Sequence, residues 1–189
     1  MSIAAHKLYG PKGIGALYIS SGTKLEKIIT GGYQERNRRA GTENIPAIAG
    51  FAKATELAYS IIHAESQREK ELRDYMETLI LKKIPSVTIN GNLNNRLSNI
   101  SSLTIDNAMA ESILFNLDLR GICISAGSAC SSGTLNPSHV LLALGHDTKM
   151  AKSSIRVSLG KFNTKEDIDE FVKQLELVVE QERNLSDLY

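Results

Sequence analysis

S-S-I-R-V-S-L-G-K-F-N-T-K-E-D-I-D-E-F-V, residues 153–172, changes its apolar rhythm midway. From Ser154 to Leu159, isoleucine, valine and leucine alternate with other residues, the period of a strand with one buried face. Thr164 then offers a hydroxyl as a helix cap, with Asp167 three residues on to return the bond. Ile168, Phe171, Val172, Leu175 and Val179 follow at helical spacing and form an apolar stripe. A strand running into a capped helix points to a mixed architecture.

The same alternation of element types extends upstream. From Pro46, apolar or small residues recur at Ile48, Ala52, Thr55, Tyr59 and Ile62, then at Leu72, Tyr75, Met76 and Leu79. This predicts a long helix, with Pro46 tolerated in the first turn and Pro85 marking the end. Val87 and Ile89 alternate as a strand ahead of the Asn90-Gly91 turn signal, and Leu97 to Ile105 reads as a second strand. Helices are predicted at Ala110 to Leu119 and at Pro137 to Leu144, the latter stopped by Gly145. A short strand is predicted at Ile122 to Ser125. Before the long helix stand a half-strand, Ser2 to Ala5, a β-type run, Ile14 to Ile19, and a polar loop, Gly31 to Asn44. The chain therefore reads as α/β or α+β from about Ile45 onward.

A net charge of +1 on 189 residues argues against a general electrostatic grip on nucleic acid or on an anionic membrane. The densest basic stretch holds only Arg36, Arg38 and Arg39. No apolar run is long enough for a membrane span, and Met1-Ser2-Ile3 lacks the regions of a signal peptide, so a cytoplasmic protein is expected. Two cysteines make no disulfide framework, and the spacing from Cys123 to Cys130 is not that of a zinc site, so no metal is expected.

Three segments carry chemistry. In A-A-H-K-L-Y-G-P-K-G, residues 4–13, Lys7 lies beside His6 and ahead of glycines that permit close backbone approach to a ligand. A lysine used for covalent work must lose its proton, and Schiff-base lysines do so through burial or a neighbouring cation; the alternative is a surface lysine beside a Gly-Pro turn. Cys130 lies in a small, polar loop with Ser125, Gly127, Ser128, Ser131, Ser132 and Gly133, where a thiol can reach a reaction partner. Cys123, between Ile122 and Ile124, reads instead as a buried core cysteine. Arg156 is a cation inside an apolar strand and needs an anion: either an internal Asp or Glu, or a substrate carboxylate gripped by two parallel hydrogen bonds.

Taken together, A-H-K-L-Y-G-P-K-G, Q-E-R-N-R-R-A-G-T-E-N, S-A-G-S-A-C-S-S-G-T-L-N-P-S-H-V and S-S-I-R-V-S-L-G-K-F-N-T resemble the cysteine desulfurases of the nitrogen-fixation and iron-sulfur-cluster type. These belong to the class V aminotransferase-like enzymes that use pyridoxal 5'-phosphate (PLP). The resemblance runs from Met1 to about Leu188. It implies a fold type I transferase, α/β in class, with residues 1–45 as the end of the PLP-binding large domain. Residues 46–189 would be a linking helix and an α+β small domain. Lys7 would carry PLP as a Schiff base and move protons, and His6 would lie beside the cofactor phosphate. Thr42 would reach the phosphate of a partner subunit's PLP, which implies a homodimer. Arg156 would hold the carboxylate of L-cysteine, and Cys130 would take its sulfur as a persulfide, leaving L-alanine. The sulfur would pass to acceptor or scaffold proteins for iron-sulfur clusters or thio-nucleosides.

The family pattern is not matched everywhere. Ala4 stands where the family has a phosphate-binding Ser, which removes one hydrogen bond. Tyr33 and Asn37 stand where the polar loop has glycines, which predicts a different backbone path. The family's upstream half, with the phosphate-cradling turn, the stacking His and the Asp on the pyridine nitrogen, has no counterpart in these residues. The chain by itself is thus expected to be incomplete for catalysis. Two other functions fit parts of the pattern: a selenocysteine lyase or other class V PLP enzyme, and a non-catalytic module that binds a scaffold partner.

Overall fold

A computed structural model describes residues 1–126 and 137–186. The chain divides into two compact units, Met1–Ile62 and His63–Tyr189.

In the first unit, β1 (Ser2–Ala4) pairs antiparallel with β2 (Gly15–Leu17), placing Ser2 opposite Leu17 and Ala4 opposite Gly15. The half-strand expected at the start is therefore half of a hairpin. Gly15 is needed there, because a Cβ would lie 2.6 Å from the carbonyl oxygen of Ile3. Between the strands, a 3-10 turn (Ala5–Leu8) ends at Tyr9, which takes a left-handed φ of 61°. The polar loop contains a short turn, α1 (Gln34–Asn37), before α2 (Ile45–Lys83) begins. Asn44 caps α2 by accepting a hydrogen bond from the Ala47 amide at 3.2 Å.

The 39 residues of α2 form the long helix that the Pro46-to-Pro85 pattern predicts. Its apolar positions have two fates. In the second unit Met76 and Ile80 are fully buried, whereas in the first unit Tyr59 is 80% exposed and Ile62 49% exposed. The helical period is the same throughout; the part after His63 packs on the four-stranded sheet of its unit, whereas the first unit's sheet is only the short β1-β2 pair.

That sheet has the order β3 (Val87–Ile89), β4 (Ile100–Ile105), β6 (Ser154–Ser158), β5 (Ser125–Ala126), every neighbouring pair being antiparallel. Leu103 and Ile105 of β4 and Ile155 and Val157 of β6 point to one face. They meet Met76 and Ile80 of α2 and Ile84 just beyond its end, Ile113 and Leu117 of α3 (Ala110–Asp118), and Ile168, Val172 and Leu175 of α6 (Lys165–Ser186). Each fully buried aliphatic side chain in this cluster contributes about 1.5–3 kcal/mol. The predicted cap of α6 is reciprocal: Asp167 Oδ2 accepts from the Thr164 amide at 3.0 Å and Thr164 Oγ1 from the Asp167 amide at 3.2 Å.

Two short helices, α4 (His139–Ala143) and α5 (Thr148–Lys152), precede β6. The first falls within the predicted Pro137 to Leu144 helix. The second is not visible in the periodicity, being too short to show one; its start is fixed by Asp147 Oδ1 accepting from the Met150 amide at 2.7 Å.

Ion pairs brace the edges of this core. Glu77, 5% exposed, receives both terminal nitrogens of Arg96 at 2.7 Å each and the hydroxyl of Ser101 at 2.7 Å. Arg68 donates to Glu65 and to the carbonyls of Gly160 and Asn163, tying the loop after β6 to α2. No helix among the described residues is long and apolar enough to cross a membrane.

Cys123 departs from expectation. It is exposed, with its thiol 3.8 Å from Asp118 Oδ1. The reason is alternation: Ile122 and Ile124 pack against the core, and in extended chain the residue between them faces the other way.

Ile80→Ala should lower the stability of the second unit by about 2–5 kcal/mol, read from the urea midpoint. A pH effect follows from Glu65, whose hydrogen bond from Arg68 holds its carboxyl below the ordinary value of 4.5. A depressed acid stabilises the fold above its unfolded value, and that contribution is lost as pH falls through the lowered folded value. Glu65→Gln should therefore flatten the loss of stability below pH 4.5, measured by urea midpoints along a pH series.

Candidate active site

The first unit presents Lys7 from the 3-10 turn, held at both ends by the backbone. Ala5 donates its amide to the Ile14 carbonyl at 3.1 Å, and Gly10 donates to the Ala5 carbonyl at 2.9 Å. The turn is therefore anchored to the hairpin, while His6 and Lys7 remain exposed and without a side-chain partner among the described residues. With no side-chain partner among the described residues, both groups are available to a ligand.

Thr42 is exposed in the segment that joins the polar loop to α2. That loop is tied down by Gly41 donating to Gln34 Oε1 at 3.2 Å, by Ala40 donating to the Ile29 carbonyl at 3.3 Å, and by Lys27 donating to Asn37 Oδ1 at 3.0 Å. Glu35, Arg36 and Asn37 all take left-handed φ, at 50°, 56° and 63°. At Asn37 the glycine-like conformation is thus retained, as asparagine tolerates it best after glycine. Tyr33, with φ of −95°, takes an ordinary one. Ala4 is half-buried in β1 opposite Gly15, and its side chain offers no hydroxyl.

The second unit presents Arg156. It occupies the middle of β6 with Ser102 of β4 opposite on one side and Ser125 of β5 on the other. Because Ile155 and Val157 fill the core face, Arg156 and its two serine neighbours share the opposite face. No carboxylate among the described residues pairs with Arg156, so the internal ion pair is not realised there. Its Nε is buried and has no hydrogen-bond partner among the described residues. Leaving such a donor unmet costs about 1–3 kcal/mol, more when the group is charged, and a bound carboxylate is the ligand that would satisfy it.

The rest of that face was not singled out by sequence. Asn90 donates to Ser102 Oγ at 3.2 Å and accepts from Thr104 at 3.0 Å, and Thr104 and Ser154 share a 2.7 Å bond. The signal was present, since Ser102 and Thr104 alternate with Leu103 and Ile105. It requires knowing that β4 lies beside β6. A separate cavity of about 230 Å³, lined by Asp106, Asn107, Lys149, Met150 and Ser153, contains none of the residues picked out above.

Lys7, His6 and Thr42 thus belong to the first unit and Arg156 to the second, while Cys130 lies outside the described residues. Among the described residues no three His, Cys, Asp or Glu side chains are grouped to hold a metal.

Residues 1–171 match the aminotransferase class-V family. The cysteine desulfurase IscS of Dictyoglomus turgidum is 48% identical over 186 residues, which is 98% of this chain and 47% of the relative. The chain spans about half the length of the curated relatives it matches. Among solved structures, a NifS-like protein from Rickettsia africae superposes with a TM-score of 0.84 at 39% identity, covering 95% of this chain and 47% of that one. A structure described as SspA in complex with cysteine superposes with a TM-score of 0.60 at 32% identity, covering 86% of this chain and 44% of that one.

The unpartnered Nε–H of Arg156 gives a direct readout. Titration with a small carboxylate such as acetate should shift its side-chain NMR resonance to saturation. Arg156→Met should abolish binding of the carboxylate.

Proposed function

The chain belongs to the aminotransferase class-V family, and on that footing we propose that it forms part of a cysteine desulfurase. Such an enzyme removes sulfur from L-cysteine to give L-alanine and a protein-bound persulfide. The observation that carries the reading is Arg156: a cation on the polar face of the sheet with a buried, unpartnered Nε suits the carboxylate of an amino acid.

The residues present also fit PLP at two of its ends. Lys7 offers an exposed side-chain nitrogen for the carbonyl carbon, the exposed His6 imidazole is a donor for the phosphate, and the exposed Thr42 hydroxyl is a donor for the phosphate held by a second copy. PLP, when bound, supplies the electron sink that lets a bond at the substrate's carbon skeleton break. The protein's own groups do the rest. Lys7 holds the cofactor and moves a proton to or from the substrate carbon. Arg156 fixes the amino acid by its carboxylate, so that orientation is settled before reaction. The Cys130 thiolate attacks the substrate sulfur; the new S–S bond forms as the C–S bond breaks, and its electron pair stays with the carbon. That carbon takes up a proton and becomes the methyl group of alanine. Cys130 is left as the persulfide, ready to pass its sulfur to an acceptor.

In this reading residues 1–45 belong to the cofactor-binding domain and residues 46–189 to the linking helix and small domain. Thr42 serves the PLP of a second copy, and the groups that face the pyridine nitrogen come from sequence beyond what this chain matches. The reading takes L-cysteine as the substrate, in line with the structural neighbour SspA described in complex with cysteine.

The test is sulfur release from L-cysteine in the presence of PLP and a thiol reductant, with the chain assayed alone and mixed with the complementary half of the Dictyoglomus turgidum relative. Cys130→Ala should lose sulfur release by on the order of a hundredfold or more, and Lys7→Ala should lose the visible absorption that PLP acquires on the protein. Undiminished sulfur release by Cys130→Ala would sink the assignment.

A further inference from the structure

The turn that follows Lys7 is seated on α2 through a contact that only a glycine allows. Gly50 lies in the first unit's part of α2, and a Cβ built there would meet Pro11 Cγ at 2.6 Å and Pro11 Cδ at 3.2 Å. The first distance is well inside van der Waals contact. The obstructing atoms belong to a ring locked to its own backbone, not to the far end of a flexible side chain, so relief requires the chain itself to move.

One helical turn further on, Ala54 completes the seat. It is 9% exposed, and a Cβ on Gly10 would come within 3.0 Å of Ala54 Cβ and within 3.0 Å of the Ala5 carbonyl oxygen. Positions 50 and 54 are i and i+4, so they share one face of α2, and Gly10-Pro11 lies across both. Gly10 in turn donates to the Ala5 carbonyl at 2.9 Å, and Ala5 is completely buried. The 3-10 turn carrying His6 and Lys7 is thus closed between a fixed Ala5 and a fixed Gly10. Whatever moves Gly10-Pro11 moves the backbone from which Lys7 projects.

We propose that Gly50 is a positioning residue for Lys7: its missing side chain admits the Gly10-Pro11 turn against α2, and that contact sets the direction of the lysine. The proposal rests on Lys7 being the cofactor-binding lysine. Glycine in mid-helix is otherwise unfavourable, since it loses more freedom on folding than alanine does, and the close approach of Pro11 is the structural return for it. Gly50→Ala should therefore leave α2 helical while displacing the Lys7 turn.

The experiment uses the full 189-residue chain as wild type, Gly50→Ala, Pro11→Ala and the double variant. Amide hydrogen exchange is followed at Ala5 and Gly10, with residues 65–80 of α2 as internal reference. In parallel, each protein is exposed to PLP and reduced with borohydride, and the pyridoxyl label on Lys7 relative to Lys12 and Lys24 is read by peptide mass spectrometry. Gly50→Ala should speed exchange at Ala5 and Gly10 about tenfold and lower the Lys7 share of label about fivefold, with the α2 reference unchanged. In the double variant the ring is gone, so adding Gly50→Ala to Pro11→Ala should change neither readout by more than about twofold. Wild-type exchange and labelling in Gly50→Ala, or an effect of the same size in the Pro11→Ala background, overturns the proposal. A wild-type label spread evenly over Lys7, Lys12 and Lys24 instead overturns the assignment of Lys7 as the cofactor lysine, even if exchange shows Gly50 and Pro11 coupled. Should Gly50→Ala loosen the α2 reference as well, Gly50→Ser decides: it adds a side chain against the same ring, and selective loss at Ala5 and Gly10 supports the contact while uniform loss refutes it.

Discussion

The backbone ladder along β6 is the constraint from which the second unit is built. β6 is hydrogen-bonded on both sides, to β4 and to β5, so its residues cannot rotate and their side chains are assigned to faces by position alone. Ile155 and Val157 go to the core, and Arg156 and Ser154 go to the other face. A slip of one residue would bury the guanidinium among aliphatic side chains and expose the isoleucine and valine, a double cost that fixes the register. Ser102 stands opposite the arginine, Thr104 and Asn90 continue the same polar face, and among the described residues the arginine's Nε has nothing to bond. Structure and proposed chemistry meet at that point: the group left unsatisfied by folding is the one suited to a carboxylate.

The first unit relies on a different device. Its buried hydrophobic side chains among the described residues are Ala5, Ala40 and Ala54, which are too small to build a core in the usual sense. What holds the Lys7 turn is close backbone approach: Gly15 beneath Ile3, Gly10 against Ala5 and Ala54, Pro11 against Gly50. Small residues permit contacts at distances where any larger side chain would collide, and each contact is made through backbone, ring or Cβ atoms with little freedom to relax. A lysine presented in this way owes its direction to residues that carry no chemistry themselves.

Much of the local structure was legible beforehand because it depends on neighbours in sequence. The helix bounded by Pro46 and Pro85, the Thr164 and Asp167 cap, the strands around Val87, Ser154 and Ile100, and the stop at Gly145 all appear within a few residues of their predicted places. The places where local pattern does not decide the structure have a common source. Cys123 resembles a core residue by composition, yet its flanking isoleucines occupy the inside and turn it outward. Tyr59 and Ile62 continue the apolar period of α2, yet they are exposed in their unit. Helix α5 is set by one aspartate cap and is too short for any period to reveal. In each case the deciding contact is either with a distant segment or too brief to leave a pattern.

By itself the sequence determined the kinds of element, their order, the caps that begin and end them, and the residue types able to hold a cofactor, a carboxylate and a sulfur atom. Those properties follow from backbone sterics, side-chain period and functional-group chemistry, which act over a few residues. Tertiary structure alone decided which apolar positions are buried, that Arg156 stands between Ser102 and Ser125 with no carboxylate partner among the described residues, and that Gly50 receives Pro11. These depend on strand register and on close packing between segments far apart in the chain, where a difference of one residue or one methyl group changes the outcome.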